Sequence, residues 1–198
     1  MQNNGGSLVA QAVVQLAAAR GLRTVSLVRE GAGPEWEALS PHLTALGATL
    51  VLPERAAGKH EFAKTLRDLP PGALGLNGSG GAAALAVARA LGKGATLVTY
   101  GAASGREAAL AAPLDLWTVG DLTARGFSLS AWLAALSAPA RAAEVAEAAA
   151  ACASVEGKEG AKRAAVALLV AREPFADFAA ALKRSGAPGN ARPVVLTF

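Results

Sequence analysis

Asn3-Asn4-Gly5-Gly6-Ser7 leads directly into Leu8-Val9-Ala10-Gln11-Ala12-Val13-Val14-Gln15-Leu16-Ala17-Ala18-Ala19-Arg20, and Arg23-Thr24-Val25-Ser26-Leu27-Val28 follows. Across residues 7–20 the apolar positions recur at three- and four-residue steps, and Gly21 stops the run, so a helix is expected there. Residues 23–28 are β-branched and short, so a strand is expected next. A glycine turn, a helix and a strand in that order belong to a parallel α/β sheet, and the rest of the chain repeats the alternation.

The spacing predicts helices over residues 34–46, 59–69, 81–91, 113–123, 137–153 and 174–185. Strands are predicted over 49–52, 73–77, 95–100, 125–129, 163–171 and 193–198, with a polar loop at 154–162. Strands separated by helices of this length give a doubly wound, Rossmann-like parallel sheet with right-handed crossovers. The alternative is an alanine-rich helical bundle. The β-branched runs at 24–28, 49–51 and 96–99 argue against it.

Composition narrows the function. The chain has 198 residues, enough for one domain with a real core. Hydrophobic residues make up 53% and aromatics only 5%, so the core must be aliphatic. Alanine supplies about half of that apolar fraction, which favours helices and thin layers. One cysteine excludes a disulfide framework or a cysteine-rich zinc module, and two histidines leave little material for a metal site. No apolar run approaches the roughly 20 residues of a membrane span. The opening residues resemble neither a signal peptide nor an arginine-rich transit peptide. The net charge of +4 suits an anionic ligand, but no basic stripe with interleaved aromatics points to nucleic acid.

Two turns compete for a phosphate. Asn3-Asn4-Gly5-Gly6-Ser7 lies just before the first helix, where backbone N–H groups and the helix dipole attract an anion and Ser7 could add a hydroxyl. Gly78-Ser79-Gly80-Gly81-Ala82-Ala83 matches G-x-G-x-x-A between a strand and a helix. A dinucleotide fold reads the ribose about 20 residues after its phosphate turn. From the first turn that position falls at Arg29-Glu30; from the second it falls near Thr99-Tyr100, with no acid or base nearby. The first turn is therefore the better candidate, and an arginine at the ribose position favours the 2′-phosphate of NADP. The plain alternative for Arg29 is a solvated charge at a strand end.

Other chemistry finds no support. Tyr100 has Ser104 four residues on, so there is no Tyr-x-x-x-Lys pair, and no G-x-S-x-G elbow is present. Cys152 sits in an alanine-rich helix and reads as a small buried apolar residue. Trp36, Trp117 and Trp132 read as packing anchors.

The run from Gln2 to Val13 resembles the cofactor turn of the mitochondrial 2-enoyl thioester reductases, in the zinc-free, quinone-reductase-like branch of the medium-chain dehydrogenase/reductase superfamily. Further matching stretches are Gly21-Leu22-Arg23-Thr24, Leu27-Val28-Arg29-Glu30, Leu46-Gly47-Ala48, Leu76-Asn77-Gly78-Ser79-Gly80-Gly81 and Thr99-Tyr100-Gly101. Arg125-Gly126-Phe127-Ser128-Leu129-Ser130-Ala131-Trp132 is the most distinctive, and Val195-Leu196-Thr197-Phe198 closes the series. The resemblance implies reduction of trans-2-enoyl thioesters with NADPH in mitochondrial fatty-acid synthesis. It implies that Gly6, Ser7, Leu8 and Val9 line the pyrophosphate, and that Arg29 and Glu30 adjoin the adenosine ribose and its 2′-phosphate. It places Tyr100, Gly101, Ala102 and Ala103 at the next strand end, and Phe127, Ser128, Leu129 and Ser130 at the nicotinamide and acyl pocket.

The sequence departs from that family in four ways. Leu8 and Ala10 stand where glycines are usual, and a Cβ there obstructs close approach to phosphate. The family's basic residue near the C-terminus falls at Pro193, one place after Arg192. The GroES-like catalytic domain, which carries the family's proton-donating tyrosine, has no counterpart in these residues. Of the family's first Rossmann strand only about two residues remain, and in the order 3-2-1-4-5-6 that strand is central. Unpaired inner edges are costly. The expectation is therefore that residues 1–198 are the cofactor portion of a longer enzyme, or that an N-terminal half or another polypeptide supplies the strand, or that the sheet collapses. On this reading the chain alone is inactive. The alternative is a degenerate, non-catalytic subunit of a larger mitochondrial assembly. Family members also pair sheet edges in dimers, a role that Val194-Val195-Leu196 would suit.

Overall fold

The computed structural model describes residues 1–29, 34–57, 59–105, 107–153, 155–156, 162–163, 171–185 and 194–197. Its main sheet is parallel. Strands β1 (Val25–Val28) and β2 (Leu50–Pro53) pair on one side, and β3 (Gly72–Asn77), β4 (Leu91–Thr99) and β5 (Thr123–Gly126) pair on the other. Gln2 joins the two halves by bridging Ser26 of β1 and Leu76 of β3. The order is therefore β2-β1-(Gln2)-β3-β4-β5, the doubly wound arrangement expected, and the sheet has not collapsed at its centre.

The helices between these strands are α1 (Leu8–Ala18), α2 (Pro34–Leu46), α3 (His60–Leu66), α4 (Gly81–Arg89) and α5 (Leu114–Thr118). Alternation along β1 sends neighbouring side chains to opposite faces. Val28 packs with Val14 of α1 and Leu39, Leu43 and Leu46 of α2. Leu27 packs on the other face with Phe62 of α3, Val87 of α4 and Leu97 of β4. Each such fully buried Leu or Val contributes roughly 1.5–3 kcal/mol. The alanines of α4 (Ala84, Ala86, Ala88) are buried too, so that helix lies close against the sheet.

Past β5 the packing thins. Helices α6 (Leu129–Ala135) and α7 (Ala138–Ala153) bury none of their side chains. Short strands β6 (Val155–Glu156) and β7 (Lys162–Arg163) pair antiparallel. Strand β8 (Ala171–Pro174), α8 (Phe178–Ser185) and β9 (Val194–Thr197) form a last unit whose two strands run parallel. Among the described residues no helix is long and apolar enough to cross a membrane.

Several expectations need correction. The strand expected over 125–129 ends at Gly126, because Ser128 caps a helix there and accepts a hydrogen bond from Ala131 N–H at 3.3 Å. The helix expected over 113–123 shortens to α5, with Gly120 N–H turned back onto the Asp115 carbonyl at 2.8 Å. The loop expected at 154–162 contains β6 and the first residue of β7. Of the strand expected over 163–171, residues 164–170 lie outside the described residues.

Candidate functional site

The site lies at the carboxyl ends of β1, β3, β4 and β5, where open parallel sheets bind ligands. It is built from the turn at residues 3–7. Gly5 N–H donates to the Leu27 carbonyl at 2.9 Å, which holds the turn against β1. A Cβ on Gly5 would come within 2.7 Å of Val28 Cγ1 and 2.8 Å of the Leu27 oxygen, so this approach needs glycine. Ser7 caps α1, its hydroxyl accepting from Ala10 N–H at 3.2 Å. Gln11 Nε2 donates to the Gly6 carbonyl at 3.0 Å and stiffens the turn from the helix side. The first N–H groups of α1, on Leu8 and Val9, have no intrahelical acceptors and point outward with the positive end of the dipole. This is the geometry of an anion site.

In the second glycine turn, side-chain amides take up the N–H groups of Gly78, Ser79 and Gly80. Asn3 Oδ1 accepts from Gly78 N–H at 2.7 Å and from Ser79 N–H at 3.2 Å. Asn77 Oδ1 accepts from Ser79 N–H at 3.2 Å and Gly80 N–H at 2.9 Å. Asn3 Nδ2 donates to Asn77 Oδ1 at 2.7 Å, and Asn77 Nδ2 donates to Thr99 Oγ1 at 3.0 Å. The two side-chain amides tie together the ends of β3, β4 and the first turn.

Tyr100 lies beside both turns. A Cβ on Gly78 would sit 2.7 Å from the Tyr100 hydroxyl, so the ring packs directly over that glycine. Burial raises the phenol above its ordinary value of 10.0, and the nearby Ser7 hydroxyl offsets part of that shift. The Ser7 contact falls short of full hydrogen-bond geometry, leaving the buried phenol oxygen without a partner among the described residues. The loop continues from Tyr100, with Ala103 N–H on the Gly78 carbonyl and Ser104 N–H on the Ser79 carbonyl, both at 3.0 Å.

Arg29 extends from the end of β1 and is half exposed. Its Nη2 donates to Ser104 Oγ at 3.5 Å, and its Nε lies 3.8 Å from Glu54 Oε2. Glu54 follows β2 and is mostly buried; its Oε1 has no hydrogen-bond partner among the described residues. Arg29 is thus more than a solvated charge, since it links the ends of β1 and β2 to the Tyr100–Ser104 loop. Glu30 lies outside the described residues.

Phe127, Ser128, Leu129 and Ser130 share this edge through Phe127 N–H, which donates to the Thr99 carbonyl at 2.8 Å. Their side chains are exposed. Phe127 and Trp132 rings lie 6.1 Å apart at 49°, and Ser128 Oγ lies 3.1 Å from Ser130 Oγ. The structure therefore sets Tyr100 beside Ser7, packs Gly101 against Gly78 and ties Arg29 to Ser104 of the following loop, while Phe127 N–H attaches residues 127–130 to the end of β4. Asn3 belongs to the turn expected to hold the phosphate, whereas Asn77, Glu54 and Ser104 carried no expected role at the site. The Asn-Gly dipeptide at 77–78 carries a local turn signal, whereas nothing near Glu54 or Ser104 marks them.

No protein-family profile matches the chain. It is similar to the mitochondrial enoyl-(acyl-carrier-protein) reductase of Homo sapiens, 39% identical over 132 residues, covering 67% of this chain and 34% of that protein. The Dictyostelium discoideum protein of the same name is 32% identical over 196 residues, covering 99% of this chain and 52% of its own length. The chain thus spans between 34% and 52% of these two relatives. Among solved structures, a mutant enoyl thioester reductase from Candida tropicalis matches all of this chain and 53% of its own at a TM-score of 0.73 and 19% identity. A mycobacterial protein complexed with NADPH matches all of this chain and 55% of its own at 0.68 and 21%. These likenesses show a common fold.

Proposed function

We propose, starting from the chain's membership of the mitochondrial enoyl thioester reductase family, that residues 1–198 are the NADPH-binding part of a 2-enoyl thioester reductase. The observation that carries the reading is the pairing of an anion-ready α1 N-terminus with Arg29 at the end of the next strand. When bound, NADPH supplies the hydride that reduces the thioester's double bond. The N–H groups of Leu8 and Val9 would hold the pyrophosphate, and the Arg29 guanidinium would hold the 2′-phosphate beside the Ser104 hydroxyl. Tyr100, Gly101, Ala102 and Ala103 would wall the cofactor from the β4 side, and Phe127, Ser128, Leu129 and Ser130 would border the nicotinamide and acyl chain.

The uncapped N–H groups at the start of α1 and the positive charge of Arg29 support this cofactor. Leu8 and Ala10 stand in place of the family's usual glycines and would lower the affinity; Ala10 is fully buried in the helix packing. Tyr100 lies beside Ser7 and the cofactor turns and does not correspond in sequence position to the family's proton-donating tyrosine, so the donor is assigned elsewhere. Polypeptide outside residues 1–198 would supply that donor, complete the substrate cleft and fill the centre of the sheet, and this chain alone would not turn over substrate. The relatives' names support a mitochondrial location for the assembled enzyme.

Titration of the chain with NADPH and NADH, followed by tryptophan fluorescence, tests the reading. Arg29→Ala is expected to weaken NADPH about 10- to 100-fold, the worth of a charge-assisted phosphate contact, and to leave NADH nearly unchanged. Equal affinity of the unaltered chain for both cofactors would overturn it.

A further inference from the structure

The chain has two asparagine–glycine pairs, Asn4-Gly5 and Asn77-Gly78, one in each glycine turn. Asparagine is a chemically labile residue, and a following glycine leaves the neighbouring backbone nitrogen unhindered by any side chain. The fold itself imposes the first pair. A Cβ on Gly5 would sit 2.7 Å from Val28 Cγ1, so only glycine fits there. Asn4 has a φ of +53°, in the left-handed region that asparagine and glycine enter more readily than other residues.

The two pairs differ in how their reacting atoms are held. Asn77 is 2% exposed. Its side-chain amide bonds to Asn3, Ser79, Gly80 and Thr99, and the Gly78 N–H donates to Asn3 Oδ1, so cyclisation there would break five hydrogen bonds. Asn4 is half-buried, and its side-chain amide makes no hydrogen bond among the described residues. The Gly5 nitrogen is restrained by its own bond to the Leu27 carbonyl at 2.9 Å, and the turn by Ser7 N–H on the Asn4 carbonyl at 2.9 Å. Opening this turn therefore disturbs backbone contacts at its own edge and leaves the buried amides of Asn3 and Asn77 in place.

We propose that Asn4 is a deamidation site whose conversion sets a negative charge in the anion-binding turn. When the Gly5–Leu27 bond opens, the Gly5 nitrogen gives its proton to solvent and attacks Asn4 Cγ. The new C–N bond closes a succinimide ring, and the side-chain nitrogen leaves as ammonia. Water then opens the ring at either carbonyl, giving aspartate or isoaspartate with no change of oxidation state. Both products carry a carboxylate in the turn that leads into α1. Isoaspartate also adds one backbone carbon just before Gly5, where the chain lies tight against β1. The carboxylate repels a pyrophosphate held by the N–H groups of Leu8 and Val9. That consequence rests on the cofactor reading, whereas the modification itself does not.

The test incubates the 198-residue chain at mildly alkaline pH, folded and in urea. Peptide mapping by mass spectrometry reads the conversion of amide to acid at Asn4 and Asn77 separately, and an isoaspartate methyltransferase marks the isoaspartate product. In the folded chain Asn4 is expected to convert at least about tenfold faster than Asn77, where more hydrogen bonds must open, and in urea the two rates should converge. Equal rates in the folded chain, or an Asn4 that stays intact there while it converts in urea, would overturn the proposal. Titration with NADPH and NADH before and after conversion reads the charge. Affinity for both cofactors should fall about three- to tenfold, because the pyrophosphate is common to them, whereas Arg29→Ala acts on NADPH alone. Asn4→Gly accepts the positive φ and has no carboxamide, so its affinities, whatever their starting values, should not fall on incubation. A fall in that variant, or unchanged affinities in the converted chain, would overturn the charge effect and leave the modification standing. A fresh chain that binds neither cofactor would overturn the cofactor reading and the charge effect with it, and the mass measurement would still decide the modification.

Discussion

Asn3→Ala would show how the candidate site is held together. Asn3 is fully buried and makes three hydrogen bonds, to Gly78 N–H at 2.7 Å, Ser79 N–H at 3.2 Å and Asn77 Oδ1 at 2.7 Å. After truncation Ser79 N–H keeps Asn77 Oδ1 as an acceptor, but Gly78 N–H keeps none among the described contacts. One orphaned buried N–H costs about 1–3 kcal/mol, and the lost Asn3–Asn77 bond adds about 1 kcal/mol. The sum, about 2–4 kcal/mol, corresponds to a fall in Tm of about 5–15 °C for a domain of this size. Thermal and urea unfolding followed by circular dichroism would measure it. A variant within about 0.5 kcal/mol of the unaltered chain, the range of an ordinary surface change, would refute the reasoning. Asn3→Asp sharpens the test, because it keeps an acceptor for Gly78 but sets an oxygen 2.7 Å from Asn77 Oδ1. The fold would favour the protonated acid and raise its pKa. The folded state then binds more protons than the unfolded state, so this variant should lose stability as pH rises from about 4.

Two further outcomes follow from the same contacts. Glu54→Gln should tighten NADPH about two- to fivefold and leave NADH unchanged, because the Glu54 carboxylate competes with a 2′-phosphate for Arg29 across a weak, partly exposed ion pair; unchanged or weaker NADPH binding would place the phosphate elsewhere. Tyr100 is the chain's one tyrosine, so ultraviolet tyrosinate absorbance reports it alone. Its midpoint should exceed 10.0 in the folded chain and return to the ordinary value in denaturant. The unfolded state then loses its proton first, so stability falls as pH rises above 10.0. Tyr100→Phe should remove that share of the alkaline loss, and an ordinary midpoint in the folded chain would contradict the burial.

The elements most legible in the sequence are those with strong local signals at both ends. Helix α2 starts at Pro34 and ends before Gly47, as its spacing predicts. The first α/β unit also falls where the apolar steps place it. Misread elements lie where a local polar contact overrides the pattern, as when the Ser128 cap starts a helix at Leu129 and cuts short the strand expected over 125–129. In the site, the 20-residue spacing rule points to Arg29, because one helix and one strand separate the glycine turn from the end of β1. Its neighbours escape such a rule. Ser104 comes from a loop 75 residues further along the chain, and Glu54 arrives from the end of a different strand. Only the folded sheet brings them to Arg29.

Alanine-rich layers create a problem of alignment that the buried amides solve. Apolar alternation fixes which face of a strand is buried, but it barely distinguishes one register from another two residues away. Small, uniform alanine side chains on α4 offer few knobs to resist such a slip, and aromatics at 5% of the chain add little. Hydrogen-bonded amides are directional. Gln2 Nε2 joins the Ala10 carbonyl at 3.1 Å and Ser26 Oγ at 2.9 Å, fixing α1 against β1. Asn3 and Asn77 fix the first turn against β3, and Asn77 with Thr99 fixes β3 against β4. A slip at any of these joints would strand several buried polar groups at once, at about 1–3 kcal/mol each. The alignment of the strand ends, and with it the distance from the α1 N-terminus to Arg29, is therefore set by a polar seam through the centre of the sheet more than by the volume of the core on either side.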